Sequence, residues 1–389
     1  MKFFNVYPLM DIELVKGQGC WVYDSDHNKY LDLYGGHAVI SVGHTHPHYV
    51  ERIKNQLDQI GFYSNSVINK VQQALAAKLG ELSGYDNYQL FFCNSGAEAT
   101  ENALKIASFH TGKSKFISFK RGFHGRTSRA VAVTDSPKYQ APADAVHEVE
   151  YFEFGDLAGV ESSLKKGDTC AVIIEGIQGL AGIYVPDPAF LLELKKLTEK
   201  YNTLLVADEV QSGYGRSGKF FAHQHAEGVK PDLITMAKGM GNGFPIGGVL
   251  IQPGIEGWWG MSGTTFGGNH LAAAAGLAVL EIIEKEGLIK NTAELGNYFM
   301  EALQKIEAIK EVRGKGLMIG LEFDQPIAEL RKKLIFEHHI LTGVAANPSV
   351  LRLLPPLTLT KDEADYFIQC LKEVIQDINK PKEPEPVQH

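Results

Sequence analysis

"LITMAKGMGNGFPIGG", residues 233–248, places a lysine at the end of an apolar run and a glycine-rich segment directly after it. In a phosphate-cradling P-loop the order is the reverse, with the glycines first and the lysine beside Ser or Thr. Lys238 therefore needs another reason to stand where an apolar strand stops. Upstream, the runs "YQLFFC", "KFISF", "CAVIIE", "NTLLVADE" and "DLITMA" lead to it, and "GGVLI" follows it. Longer amphipathic stretches lie between several of these runs, among them "AEATENALKIASFH" and "PAFLLELKKLTEKYN". Apolar runs alternating with helical stretches predict an α/β fold, its parallel strands buried by crossover helices on both faces.

That pattern holds from residue 51 to 275 and predicts a large domain with a mostly parallel central sheet. Residues 1–50 read as short strands and turns, with "GCWVYDSDHNKYLDL" a hairpin turning at Asp24 to Asn28. Residues 276–378 run from a long helix into "VRGKGLMIGLEF", "LTGVAA" and "LRLLPPLTLT", then into a last helix through "KDEADYFIQCLKEVIQDI". They predict a small α+β domain to which residues 1–50 contribute. The Pro- and charge-rich end, residues 379–389, predicts disorder.

The chain has 389 residues, 44% hydrophobic and 22% charged, the composition of a soluble globular protein. A net charge of −8 argues against a nucleic-acid footprint. Cys20, Cys93, Cys170 and Cys370 are widely spaced with no C-x-x-C, so neither a zinc knuckle nor a disulfide framework is expected. The N-terminus lacks the basic-then-apolar order of a signal peptide, and no run reaches membrane-spanning length. The expectation is a cytoplasmic protein.

Ligands of open parallel sheets sit beyond the carboxyl ends of the strands. Asp208 and Glu209 follow "LLVA", Lys238 follows "LITMA", "NSGAE" follows "LFFC", and "KRGFHGRT" follows "FISF". Each run delivers polar groups to one rim. Asn94 to Ala97 reads as an anion cup, with Ser95 as helix cap and Gly96 allowing close backbone approach; it also reads as nothing more than a well-capped helix start. A carboxylate and a lysine at neighbouring strand ends suit pyridoxal phosphate chemistry, in which a lysine forms a Schiff base and an acid partners the ring nitrogen. The same pair also reads as a plain salt bridge.

"NSGAEATENALK", "GFHGRT", "EGIQG", "ADEVQSGYGRSG", "AKGMGNGFPIGG" and "GTTFGGN", in this order, resemble the class III (subgroup II) aminotransferases, from about residue 5 to 378. The acetylornithine aminotransferase branch, with its N-succinylornithine-using relatives, is the most similar. The resemblance implies a fold type I architecture, a homodimer with active sites at the interface, and pyridoxal 5′-phosphate as cofactor. It implies Lys238 as the Schiff-base lysine, Asp208 as partner of the pyridine nitrogen, and Gln211 near the cofactor's phenolic oxygen. Ser95, Gly96 and Ala97 would hold the phosphate together with Thr265 from the neighbouring subunit, and Phe123 would stack on the ring. Arg126 and Arg352 would bind substrate carboxylates. The expected activity is transfer of the δ-amino group of an N-acylornithine to 2-oxoglutarate in arginine biosynthesis. The alternatives are ornithine, 4-aminobutyrate or another ω-amine as donor, or a cofactor-binding protein without turnover.

Three departures stand out. Leu180 occupies the place of the glutamate that in relatives pairs with the second arginine, so Arg352 either stays available or finds another acceptor. His37, where many relatives are aliphatic, is a candidate contact to the donor's carboxylate or acyl group, or a polar residue with no contact. Ser262 and His270 flank the phosphate threonine and bear on interface geometry. No metal is expected: His44, His46 and His48 alternate in a turn with no nearby carboxylate or cysteine in sequence. Arg216 reads as an anion binder or a loop anchor. Glu175 and Glu209 read as supporting carboxylates or as partners of nearby cations. The glycines after Lys238 are expected to keep bulk away from the lysine and to turn the chain tightly.

Overall fold

A computed structural model of the chain describes residues 1–380, so most of the expected disordered end lies outside the described residues. Its strands, in chain order, begin with β1 (Leu14–Gln18), β2 (Trp21–Asp24) and β3 (Lys29–Asp32). Then come β4 (Gln89–Cys93), β5 (Lys115–Phe119), β6 (Val149–Phe152), β7 (Thr169–Glu175), β8 (Leu204–Asp208), β9 (Leu233–Met236) and β10 (Gly247–Ile251). Last are β11 (Glu311–Lys315), β12 (Met318–Glu322), β13 (Ile340–Leu341), β14 (Gly343–Val344) and β15 (Val350–Leu353).

The central sheet has the order β4-β10-β9-β8-β7-β5-β6. Ladders from β9 through β8, β7 and β5 to β6 are parallel, and every residue of β7 and β8 is buried, as strands covered on both faces must be. "GGVLI" departs from the parallel pattern expected of it, because β10 runs antiparallel to both β9 and β4. The cause is the connection. Residues 237–246 form a glycine-rich turn with no crossover helix, and a parallel return needs a dozen or more residues. The edge strand β6, "VEYF", is half-buried throughout and gave no apolar run to find.

Helix ends follow local chemistry. Ser95 accepts from the Glu98 N–H to start helix Gly96–Thr111, which stops at Gly112 in the left-handed conformation. Thr360 and Glu363 form a reciprocal capping box for helix Lys361–Ile378. Helix His270–Lys285 buries ten residues, among them Ala272, Ala275, Val279 and Ile283, in a core shared with Leu75, Leu79, Met236 and Leu250.

Two smaller sheets flank this layer. The β1-β2-β3 meander turns at Asp24–Asn28 and takes β13 as a parallel partner, with Leu31 opposite Ile340. The other sheet, β11-β12-β15-β14, is antiparallel and carries Arg352 on its β15 strand. Alternate residues of its strands supply the core beneath it: Ile319, Leu321, Leu351 and Leu353 join Phe299, Phe367 and Leu371 in one buried cluster.

Gly247 opens β10 with no room for a side chain: a Cβ there would lie 2.8 Å from the Ser95 carbonyl oxygen and 2.9 Å from that of Met236. Both obstacles are backbone and cannot rotate away. Gly247→Ala is expected to cost about 1–3 kcal/mol, read as a lowered midpoint of urea unfolding. Gly257→Ala, whose Cβ would meet nothing within 4 Å, is the control and should leave the midpoint nearly unchanged.

Candidate active site

The parallel register sets Glu175 opposite Asp208, and Asp208 opposite Thr235, so adjacent strand ends present these residues side by side. Asp208 is buried and fully engaged. One oxygen lies 2.7 Å from Nδ1 of the buried His124; the other accepts from the Val210 N–H at 3.0 Å and the Thr235 hydroxyl at 3.3 Å. Sequence reasoning missed His124, although it lies within "GFHGRT", a segment already assigned to the rim.

Lys238 stands two residues beyond β9 in a tight turn with φ of 41°. Among the described residues its amine has no hydrogen bond and no ion pair, so the plain salt bridge with Asp208 is not formed. Burial lowers the pKa of the amine, against the opposing pull of the Asp208 and Glu175 charges. The following loop is clamped to the N-terminal segment. Asn242 accepts from the Ser41 and Val42 N–H groups at 2.8 and 3.0 Å, and the Tyr49 hydroxyl donates to the Gly241 carbonyl at 2.6 Å. A Cβ on Gly239 would meet only ordinary contacts, whereas one on Gly241 would overlap the Phe244 carbonyl. Turning, more than clearance beside the lysine, is what these glycines serve.

The anion cup is narrower than the sequence suggested. Both the backbone N–H and the side-chain amide of Asn94 are taken by Glu98, at 2.8 and 2.9 Å. Gly96 and Ala97 occupy the first helical turn, where N–H groups lack intrahelical acceptors. Val210 presses on Gly96 so closely that a Cβ would come within 2.6 Å of its Cγ1. Ser95 has the capping role of the simpler reading, which leaves the neighbouring amides free.

Phe123 is half-buried, and its N–H donates to Glu175 at 3.0 Å. Arg126 is exposed, its guanidinium 4.5 Å from the Tyr139 ring centroid and 6.0 Å from that of Phe123. Arg352, 2% exposed, has no carboxylate partner among the described residues. It donates to the Val344 carbonyl at 2.6 Å and to Gln211 Oε1 at 3.4 Å, so it has found neutral acceptors in place of the missing glutamate. Gln211 also donates to the His37 carbonyl at 3.2 Å. His37 lies in a left-handed turn in which Gly35, Gly36, His37 and Ala38 all have positive φ, a strained conformation of the kind found at functional sites. Partial burial of the ring, then the Arg352, Lys238 and Arg126 charges, push its pKa down. Thr265 is exposed, and the Ser262 hydroxyl and His270 Nδ1 are buried without partners among the described residues.

Other candidates have structural work. The three turn histidines do have carboxylates, supplied from elsewhere: His44 pairs with Asp32, His46 with Glu286 and His48 with Glu281. Their partners are all different, so the turn gathers no ligand set. Glu209 is held in the interior by bonds to Ser212, Ala222 and His223. Arg216 is a loop anchor, donating to the carbonyls of Leu317, Pro355 and Ile40.

These residues fit pyridoxal phosphate. A partnerless amine, a buried and oriented carboxylate, a tight cup of amide donors and an aromatic ring stand at the carboxyl ends of strands of one sheet.

Glu175 is a second titrating group of the rim. It accepts from the Phe123 and Gly179 N–H groups, yet burial pushes its pKa up to about 7; the His124 charge opposes this and the Asp208 charge adds to it. Folded protein thus holds a proton that the unfolded chain releases near 4.5. The resulting stability is fully present below 4.5 and is lost as pH rises through about 7. In urea titrations of cofactor-free protein, Glu175→Gln should gain stability relative to the parent as pH is raised across this window. A difference independent of pH would contradict the assignment.

The family described as Aminotransferase class-III matches residues 5–375. The acetylornithine aminotransferase of Archaeoglobus fulgidus is 43% identical over 370 residues, covering 94% of this chain and 96% of that protein. That of Bacillus subtilis is 40% identical over 380 residues, covering 96% and 97%. Among solved structures, an ornithine aminotransferase from Toxoplasma gondii, described with partial occupancy of PLP at its active site, superposes with a TM-score of 0.89 at 29% identity, covering 97% and 93%. With the motifs matched over nearly the whole chain and the same fold around them, this protein belongs to the class III aminotransferases.

Proposed function

We propose that this aminotransferase moves the δ-amino group of an N-acylornithine, acetyl or succinyl, to 2-oxoglutarate, giving an N-acyl-glutamate semialdehyde and glutamate. The cofactor is pyridoxal 5′-phosphate, which when bound supplies an electron sink for the bond broken at the amine carbon. The observation that carries the reading is the partnerless Lys238 amine at the same rim as the buried Asp208–His124 pair. A lowered pKa leaves more of the amine neutral, able to take a proton from the substrate carbon and return it. Asp208, oriented by His124, Val210 and Thr235, offers a fixed negative charge to a ring nitrogen. Ser95, Gly96 and Ala97 supply phosphate donors, Phe123 a stacking face and Gln211 a polar contact to the ring oxygen. Arg126 takes the donor's carboxylate and Arg352 the α-carboxylate of 2-oxoglutarate or glutamate, each through bidentate pairing. His37 lies beside the donor.

Full-length similarity to acetylornithine aminotransferases supports the acylated donor and a place in arginine biosynthesis. A cytoplasmic homodimer completes the reading. Thr265 is exposed beside Phe266, whose ring packs at a tilt against the also exposed Phe62 with centroids 5.3 Å apart, and such apolar surface suits a second subunit. No helix among the described residues is long and apolar enough to cross a membrane.

Lys238→Ala should lower turnover by at least about 100-fold and abolish the absorption band of lysine-linked cofactor. With 2-oxoglutarate as acceptor, N-acetylornithine or N-succinylornithine should exceed ornithine and 4-aminobutyrate by at least about tenfold in kcat/KM. A lead for either unacylated donor would overturn the assignment.

A further inference from the structure

Arg352 poses a problem that its neighbours resolve. Its guanidinium is buried, and with Leu180 at the place of the relatives' glutamate it has no carboxylate within ion-pair distance among the described residues. A buried cation without a counter-charge is costly unless its donors are satisfied. Three neutral groups surround it. The Val344 carbonyl accepts from Nε at 2.6 Å, Gln211 Oε1 accepts from Nη1 at 3.4 Å, and the Tyr34 ring centroid lies 5.9 Å from the guanidinium carbon.

The position of Tyr34 is built into the fold. Its ring lies over Gly343, the residue opposite Arg352 across the β14–β15 ladder, where any Cβ would overlap the ring. Its hydroxyl bonds Nδ1 of His37. Asp32 accepts from the Tyr34 and Gly35 N–H groups at 3.0 and 2.8 Å, fixing the start of the left-handed turn. Gln211 closes the circuit by donating to the His37 carbonyl. Leu180 joins the same wall: its carbonyl accepts from the Ala346 N–H at 2.8 Å, tying its turn to the segment that carries Val344.

We propose that Tyr34, Gln211 and the Val344 carbonyl form a neutral cover over Arg352, and that Tyr34, positioned through His37, sets how readily a carboxylate reaches the guanidinium. The two half-reactions place different demands on Arg352. An ω-amine donor brings no carboxylate to the reacting carbon, whereas 2-oxoglutarate does. A neutral cover satisfies Arg352 during the first half-reaction and yields to a carboxylate in the second without breaking a buried ion pair.

The inference rests on Arg352 as the acceptor's carboxylate site, so Arg352→Ala is measured first. Glutarate, a non-reacting dicarboxylate, is titrated into the holoenzyme by calorimetry, and KM is measured separately for 2-oxoglutarate and for N-acetylornithine. If Arg352→Ala leaves both glutarate binding and the 2-oxoglutarate KM unchanged, the carboxylate assignment itself falls. If those are lost, the cover is tested by Tyr34→Ala. Glutarate should bind about fivefold more tightly and the 2-oxoglutarate KM should fall in parallel, with the donor KM changed less than about twofold. Leu180→Glu should act in the opposite sense, raising the 2-oxoglutarate KM by about tenfold. Tyr34→Phe, which keeps the ring and loses the bond to His37, serves if the alanine variant does not fold, and should move glutarate affinity in the same direction as Tyr34→Ala. Equal changes in both KM values, or unchanged glutarate affinity in the folded Tyr34 variants, would reduce Tyr34 to a packing residue and overturn the proposal.

Discussion

The register of β7, β8 and β9 is the constraint on which the site depends. Parallel pairing places Glu175 beside Asp208 and Asp208 beside Thr235, and a shift of one residue in either ladder would turn these side chains to the opposite face. Burial on both faces holds the register, since Ile173, Val206 and Ile234 each fill a packed layer. The Asp208 carboxylate can stay in so dry a place because a ring nitrogen, an amide and a hydroxyl all converge on it. Its orientation belongs to the sheet; its satisfaction is shared by β9, the turn after β8 and the loop that brings in His124.

Around this rim the charges are kept apart. Lys238 is not neutralised by Asp208, and Arg352 is not neutralised by any acid among the described residues. Leaving an amine and a guanidinium without carboxylate partners costs stability, in the way that functional sites commonly do. The cost is limited by neutral acceptors for Arg352 and by burial that lowers the pKa of the amine. Both groups are thereby ready for substrate, and the His37 ring is close enough to feel both charges.

Much of this was legible in the sequence where chemistry is local. Asp208 and Lys238 could be found because each ends an apolar run, and a run of that length in an alternating pattern ends at a rim. Ser95 could be found as a cap because its partner lies three residues on. What stayed hidden depends on separation along the chain. His124 reaches Asp208 across 84 residues, and His46 and His48 find their carboxylates 240 and 233 residues away. The reversed direction of β10 was hidden for another reason: an apolar run does not encode its polarity, which is set by the length of its connection. The neutral surroundings of Arg352 were half legible, since Leu180 announced that an acid was missing, but nothing local pointed to Tyr34 or Val344.

Arg216 has a consequence for how the chain acquires this shape during synthesis. Its guanidinium is buried, and its acceptors lie 176 residues before it, at Ile40, and 101 and 139 residues after it, at Leu317 and Pro355. Until Pro355 has left the ribosome, the arginine cannot be desolvated without losing acceptors it needs. The central sheet, complete at Ile251, can form earlier. The β15 strand with Arg352 therefore locks onto that sheet only when the chain is almost finished, whereas the N-terminal segment can already be held through Asn242 and Tyr49. A nascent chain halted before that point holds the strand-end carboxylates but not a closed substrate site.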